Sequence, residues 1–416
     1  MITAASELQA LLQTFDRNAH HGGDLSLGPI ETVLERLGRP QDRFPPTIHI
    51  AGTNGKGSTA AFIRSMAEAA GLRVHVSTSP HLVRVNERVR LAGDLIDDEY
   101  FLQCCRRAAK AGTGITTSYF ELTFAAAALA FSETPADLLV LEVGLGGRLD
   151  ATNIIERPAV SVITPIALDH QAILGSTIAR IAFEKAGIIK LGCPVVSALQ
   201  TSDAAGVIAE EAFAKSAPLH TLSPKDIDDI ASPIALEGAH QKANAALASK
   251  ALEVWAHPAI TEPAIRTGLQ TVSWPARLQK LKPGPLTDQF KDLQIWLDGG
   301  HNPHGAAALS DVIAGLPDRS ALVFAMLQAK EAKAYLEALS GLDVKLITCP
   351  MPAGHAGHSA ETLADIGSAL GFEAWPASSL NAALWRATEL MCQRALVCGS
   401  LYMAGAVLEA NEEIPI

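Results

Sequence analysis

Aromatic residues make up only 5 % of this 416-residue chain, and charged residues only 19 %. The scarcity of rings, set against abundant alanine and other small aliphatics, disfavours an all-β sandwich and favours helices packed on a sheet. Basic excess is also missing. The formal net charge is −11, which excludes a broad cationic face for non-specific nucleic-acid binding, although a local Arg/Lys cluster still serves an anionic substrate. Six cysteines occur, none in a C-x-x-C pair, so they read as inert thiols of a reducing compartment. No stretch approaches the roughly 20 apolar residues of a membrane span, and no basic-then-apolar leader opens the chain. A cytoplasmic protein is expected. No internal repeat is found, and the length suggests two or perhaps three domains.

The first 45 residues carry helical periodicity at Leu8, Leu11 and Leu12 and again at Ile30, Val33, Leu34 and Leu37, interrupted by Gly22-Gly23. Thr47–Ala51 reads as a buried strand that enters a glycine-rich turn and then an alanine-rich helix from Ser58 to about Ala70. Further strands are expected at Arg73–Ser77, Leu138–Leu141, Ala159–Thr164 and Pro194–Ser197. Apolar runs that end in polar residues, separated by helical stretches, describe a parallel α/β sheet. The chain turns polar around Lys282-Pro-Gly-Pro285, and the boundary is drawn between 284 and 285. Beyond it, strands at Leu293–Leu297, Ser320–Ala325, Val344–Thr348 and Ala395–Cys398 alternate with helices. This is a smaller second α/β domain.

Gly52-Thr-Asn-Gly-Lys-Gly-Ser58 departs from G-x-x-x-x-G-K-[ST], because Ile50 stands where the first glycine would fall and Gly57 separates Lys56 from Ser58. The physics is shared. Glycines let backbone N–H groups close around phosphate oxygens, and the following helix adds its positive end. Thr53, Asn54, Gly55, Lys56 and Gly57 would hold phosphates, and Ser58 would reach a magnesium ion. A tight turn rich in glycine for steric reasons alone is the bland alternative.

Together, Ala51-Gly-Thr-Asn-Gly-Lys-Gly-Ser58, Thr78-Ser-Pro-His-Leu82 and Glu142-Val-Gly-Leu-Gly-Gly-Arg-Leu-Asp-Ala-Thr-Asn153 resemble the folylpolyglutamate synthase/dihydrofolate synthase family of the Mur-ligase superfamily. Leu168-Asp-His170, Phe183-Glu-Lys-Ala-Gly187, Asp298-Gly-Gly-His-Asn-Pro303 and Cys398-Gly-Ser-Leu-Tyr402 extend the resemblance in the same order. It implies an α/β fold of two domains. An N-terminal P-loop ATPase domain (1–284) with a mainly parallel sheet precedes a smaller Rossmann-like C-terminal domain (285–416). It also implies an ATP-dependent ligase that adds L-glutamate to dihydropteroate and to reduced folates. ATP would convert a carboxylate into an acyl phosphate, which the glutamate amine attacks.

The same resemblance assigns residues. Ser79, Glu142 and His170, with Ser58, become ligands of Mg²⁺, two ions being expected. Glu142 ends one strand and His170 follows the next, which would bring them to the sheet edge that carries the glycine loop; His170 alone reads first as a satisfied loop histidine, and its Leu-Asp-His setting after a strand end reverses that. Lys185 would be carbamylated, turning a cation into a carboxylate-like anion; by itself it reads as an exposed helix lysine. Asn244, Arg277, Asp298 and His301 would reach ATP alongside the phosphate loop, with Lys56, His170 and Lys185 catalytic. Asp169 is expected as a helix N-cap or a supporting group. The pterin would lie against Gly22, Gly23, Asp24 and Leu25, then Ser118, Tyr119, Phe120 and Glu121, then Leu149, Asp150 and Ala151. Phe120 and Tyr119 offer ring faces for a flat heterocycle, or simply pack in the core.

Some positions depart from the family pattern. Pro275-Ala-Arg277 replaces P-G-R, Gly300 replaces alanine, and Ala329-Lys-Glu331 replaces D-K-D, which leaves the charge partner of Lys330 open. His355 and His358 sit in a glycine-rich loop and read as solvated; the His20-His21 pair is a weaker signal still. A cell-wall ligase of the Mur type would need a further domain before the loop strand, and only 46 residues precede Thr47. A regulator without turnover would have lost Lys56, Glu142, His170 or Lys185. The partners expected are small molecules alone, with no nucleic acid or membrane, and a monomer.

Overall fold

The computed structural model describes residues 3–17, 26–230, 233–315 and 319–415. Two sheets organise these residues. The strands of the first are β1 (Thr47–Ala51), β2 (Val74–Ser77), β3 (Val89–Leu91), β4 (Asp94–Leu95), β5 (Leu138–Glu142), β6 (Val160–Ile163), β7 (Val195–Ser197) and β8 (Leu219–Thr221). They lie in the order β4-β3-β2-β5-β1-β6-β7-β8. Six run parallel, while β3 and β4 add an antiparallel edge. Every residue of β1, β2, β5, β6 and β7 is buried, polar ones such as His49, His75 and Ser161 included, as expected of parallel strands covered on both faces.

The chain leaves β1, passes to β2 on one side and later returns to β6 on the other. This reversal opens a crevice beyond the carboxyl end of β1, where open α/β sheets bind ligands. The helix Lys56–Ala69 leads away from that crevice with ten of its 14 residues buried. It crosses helix Glu262–Thr271 so closely that a Cβ on Gly268 would stand 2.4 Å from the Met66 Cα.

The second sheet comprises β9 (Gln279–Lys280), β10 (Gln294–Leu297), β11 (Ser320–Phe324), β12 (Val344–Thr348), β13 (Glu373–Pro376) and β14 (Arg394–Cys398), ordered β13-β12-β11-β14-β10-β9. Only β9 is antiparallel to its neighbour. Because Gln279–Lys280 pairs with β10, we propose drawing the division between the two units before Gln279 rather than at 284/285. The units interlock: Leu82 and Val83, in the loop after β2, pack against the apolar core of the second sheet.

The long parallel strands follow the expectation to within a residue or so. The strands not anticipated, β3, β4, β8, β9 and β13, have two to four residues each, too few for a periodicity to register. Among the described residues no helix is long and apolar enough to cross a membrane. All six cysteines are free; five are buried and Cys193 is half-buried.

Candidate active site

The loop between β1 and helix Lys56–Ala69 is held in place by the segment that follows β6. Thr53 and Asn54 N–H both donate to the Pro165 carbonyl, at 3.0 and 3.3 Å. The Thr53 hydroxyl donates to the Ala167 carbonyl (3.0 Å) and accepts from the Ala167 N–H (3.1 Å). Gly55 caps the helix with φ = 88°, a conformation glycine adopts freely. A Cβ there would also lie 2.4 Å from the Asn244 Oδ1. The loop therefore touches Asn244 through a position where no side chain fits. Asn244 is buried and its amide donates to Gln241 Oε1 at 3.0 Å. Lys56 Nζ donates to the carbonyls of Gly52 (3.1 Å) and Thr53 (3.3 Å). Ser58 lies buried in the first turn of the helix.

Glu142 ends β5 beside this loop and is 5 % exposed. Its only hydrogen bond among the described residues is a long one, from the Ser79 N–H at 3.3 Å. Burial pushes its carboxyl up to about 7, against the opposing pull of Lys56. His170 occupies a left-handed backbone position (φ = 51°) at the head of the short helix Gln171–Leu174. Desolvation, then the charges of Lys330, Lys185 and Lys56, lowers its pKa, while Asp169 pulls the other way.

Lys185 is not the exposed helix lysine that its sequence context alone suggests. It is 5 % exposed, and its Nζ donates to the Gly52 carbonyl at 2.8 Å. Burial, reinforced by Lys56, brings its pKa down to about 7. A buried amine that is half neutral near physiological pH is a nucleophile.

Asp169 does not cap a helix. The N-cap of Gln171–Leu174 is His170, with no side-chain bond, and the Asp169 carboxylate accepts the His170 N–H at 2.8 Å. It bridges the two units instead, accepting from Lys330 Nζ at 2.5 Å and Asn302 Nδ2 at 3.2 Å. Burial opposes its ionisation, but His170, Lys330 and His301 outweigh that and hold the carboxyl well below the usual range. This supplies the partner of Lys330.

From the second unit, Asp298 sits at the end of β10, accepting from Leu278 N–H (3.1 Å) and Gly300 N–H (2.7 Å). Arg277 donates to the Ala276 carbonyl at 2.9 Å. Ala276 takes φ = 56°, so alanine here occupies backbone space where glycine fits without strain. Asn302 caps helix Pro303–Ala314. One cavity of about 250 Å³ gathers Lys56, Glu142, His170 and Lys185 with Asn244 and Asp298. Ser58, Ser79, Arg277 and His301 line it as well.

The aromatic candidates lie beside the loop that follows β5. Phe120 is half-buried, packs parallel to Phe124 with centroids 6.4 Å apart, and presses on Gly144, where a Cβ would meet its ring at 2.8 Å. Ser118 and Glu121 form a capping box for helix Tyr119–Glu133, so their polar groups serve the helix. The buried Asp150 carboxylate accepts from Leu145 N–H (2.8 Å), Thr152 N–H (3.0 Å) and the Thr152 hydroxyl (2.6 Å). It shapes the loop after β5. Ala151 is buried and Leu149 is 36 % exposed. Gly22, Gly23, Asp24 and Leu25, like the His20-His21 pair, lie outside the described residues.

Several contacts outside the residues that line this cavity were not anticipated. Arg88 lies at the end of a 3-10 turn, with its guanidinium carbon 5.5 Å from the Tyr119 ring centroid. Its Nε–H donates to His81 Nδ1 at 2.9 Å. His355, expected to be solvated, is exposed but stacks on Tyr402 with centroids 4.0 Å apart, and the half-buried His358 faces the Lys330 carbonyl at 3.3 Å. Arg88 lies six residues beyond the Thr78–Leu82 motif and nothing in the sequence singled it out; the pairing of Lys330 with Asp169 had no signal either.

The family model of the Mur ligase middle domain matches residues 50–229. The dihydrofolate synthase/folylpolyglutamate synthase of Bacillus subtilis (strain 168) is 38 % identical over 322 residues, covering 69 % of this chain and 71 % of that protein. Mycobacterium tuberculosis folylpolyglutamate synthase complexed with ADP and AMPPCP superposes with a TM-score of 0.87 at 28 % identity, over 100 % of both chains. A bifunctional folylpolyglutamate synthase/dihydrofolate synthase with Mn, AMPPNP and L-glutamate bound matches at 0.83 and 30 % identity, over 98 % of both. With the phosphate loop, the buried carboxylate and the buried lysine brought to one cavity, this chain belongs to the folylpolyglutamate synthase/dihydrofolate synthase family of Mur-type ligases.

Proposed function

We propose that this protein is an ATP-dependent ligase that joins L-glutamate to dihydropteroate and to reduced folates, releasing ADP and phosphate. The observation that carries the reading is the single cavity in which Lys56, Glu142, His170 and Lys185 of the first unit meet Asp298 of the second. An acceptor carboxylate oxygen attacks the γ-phosphorus, and the bond to the β,γ-bridging oxygen breaks as ADP leaves. The glutamate amine then attacks the acyl carbon, phosphate departs, and the amine loses a proton as the amide forms.

Lys56 and Arg277 offset the phosphate charge, and Asn244 marks the nucleotide side of the cavity through its approach to Gly55. The donor set fits Mg²⁺. Glu142 is a buried carboxylate with one long hydrogen bond, an acceptor short of partners. Among the described residues no three acidic, imidazole or thiol groups cluster as a metal cage, in keeping with an ion that completes its shell from phosphates. Ser79, Glu142 and His170, with Ser58, would hold it, and it would offset the charge that builds up during phosphoryl transfer. Lys185 is proposed to carry a carbamate for a second ion. The pterin is assigned to the Phe120 face, with Tyr119 and the loop through Leu149, Asp150 and Ala151 around it.

Arg88 is proposed to receive a carboxylate of the incoming glutamate. It is half-buried, and burial lowers its pKa while the Glu142 carboxylate pulls the other way. Among the described residues no carboxylate pairs with it. Free thiols agree with a reducing cytoplasm, and a monomer completes the reading.

The test is ADP release with ATP, Mg²⁺ and L-glutamate, comparing dihydropteroate with tetrahydrofolate and using Lys56→Ala as control. Glutamate-dependent turnover with both acceptors is the expected result. Turnover with tetrahydrofolate alone would restrict the protein to chain extension. ATP binding without stimulation by either acceptor would rule out the folate reading.

A further inference from the structure

We infer that His81 is a positioning residue that aims the Arg88 guanidinium at the glutamate carboxylate; this rests on the reading of Arg88 just given. The loop between β2 and β3 is built around one acid. The Glu87 carboxylate accepts from the N–H groups of Leu82 (2.7 Å), Val83 (2.9 Å) and Arg84 (2.7 Å). That occupies the acid adjacent to Arg88 in sequence and leaves it unavailable as a counter-ion. The same loop is anchored in the second unit, where Leu82 and Val83 pack into the core and Leu82 O closes on Gly405. His81 is therefore carried on a braced segment, one residue from the contact between units.

Arg88 Nε–H donates to His81 Nδ1 at 2.9 Å, so the imidazole proton stands on Nε2. The guanidinium is a planar fork. Fixing it at Nε leaves its two terminal nitrogens as the donor edge for a carboxylate. The acids that act on Arg88 electrostatically are Glu142 and Glu87, and the Tyr119 ring lies against its guanidinium. Glu87 is engaged by the backbone, so a guanidinium released from His81 has Glu142 as its remaining acidic attractor. That carboxylate is assigned to the metal. His81 thus does two things: it presents the donor edge to substrate and keeps Arg88 away from Glu142.

The experiment measures steady-state KM and kcat for L-glutamate, ATP and acceptor on the full chain, for Arg88→Leu, His81→Leu, His81→Phe, His81→Asn and the double variant Arg88→Leu/His81→Leu. His81→Leu and His81→Phe are expected to raise the glutamate KM about ten-fold, equivalent to about 1.4 kcal/mol, without moving the KM for ATP or the midpoint of thermal unfolding. His81→Asn keeps an acceptor oxygen near the Nδ1 position and is expected to recover most of the loss. In the double variant, His81→Leu adds nothing to Arg88→Leu. A glutamate KM unchanged in both His81→Leu and His81→Phe, while Arg88→Leu raises it, would overturn the role of His81 alone. If Arg88→Leu leaves the glutamate KM unchanged, or raises only the acceptor KM, the reading of Arg88 falls and the inference falls with it.

Discussion

The side-chain amides of Asn54 and Asn302 exchange hydrogen bonds across the two units, Nδ2 of each donating to Oδ1 of the other at 3.1 and 2.9 Å. Asn54 belongs to the phosphate loop and Asn302 heads a helix of the second unit. The loop that grips phosphate is thereby wired to the relative position of the units. Asn302 also accepts the Gly305 N–H at 2.9 Å and donates to Asp169.

Asn302→Ala removes the helix cap and the inter-unit pair together. The cap alone accounts for about 1 kcal/mol. We expect a loss of roughly 1–2 kcal/mol in urea unfolding, with a raised KM for ATP. Asn54→Ala, which breaks the pair but spares the cap, is expected to raise the KM with less destabilisation. Equal destabilisation by both would show that the cap contributes little.

Lys330→Ala is expected to be the more damaging change. Both side chains of the Lys330–Asp169 pair are at least 86 % buried, and removing one partner of a buried pair costs about 3 kcal/mol. The folded-state pKa of Asp169 is depressed. Its contribution is therefore complete above the unfolded value of roughly 4, and is lost as pH falls through the lower folded value. Urea titrations at neutral and acid pH should find the wild type losing stability in that window and Lys330→Ala losing less.

For Lys185, the neutral amine is the form that bonds to the carbon of CO₂, releasing a proton. With its pKa near 7, that form becomes dominant as pH rises through neutrality. Labelled bicarbonate followed by carbon NMR should give a carbamate signal that grows with pH and is missing in Lys185→Ala. That variant is expected to lose roughly a hundred-fold or more in kcat. No signal at any alkaline pH would remove the carbamate from the site.

Glu142→Gln separates function from stability. Because burial raises its pKa to about 7, the folded state holds its proton more tightly than the unfolded chain between roughly 4.5 and 7. Ionisation above that window works against folding. In chelator at pH 8 the amide should therefore unfold later than wild type, by about 1–3 kcal/mol, while being inactive. Added Mg²⁺ should stabilise wild type and leave Glu142→Gln unmoved. A glutamine variant less stable than wild type in chelator would mean that the carboxylate is satisfied by the protein itself.

Parts of this site are legible without coordinates. Thr47–Ala51 followed by glycines and Lys56 announces a strand, a loop and a helix, because local chain stiffness and backbone freedom are written in residue type. Glu142 stands out as an acid closing an apolar run. Ser118 and Glu121 carry a different lesson. Their S-x-x-E spacing is a capping signature, and the structure uses it as one; the place beside the pterin that the family resemblance gives them is a separate role that the cap leaves open.

Residue type and spacing were sufficient for the fold class, the phosphate loop and the run of buried parallel strands, since these depend on periodicity and on contacts a few residues apart. They also carried the family, through motifs spread from Ala51 to Tyr402. The tertiary structure alone decided that Lys185 is buried against Gly52, that Asp169 pairs with Lys330 across 161 positions of chain, and that His81 holds Arg88. Each of these depends on burial or on the meeting of two units. Burial is a property of the packed whole: desolvation turns an ordinary helix lysine into a nucleophile and a strand-end glutamate into an acceptor in need of a cation.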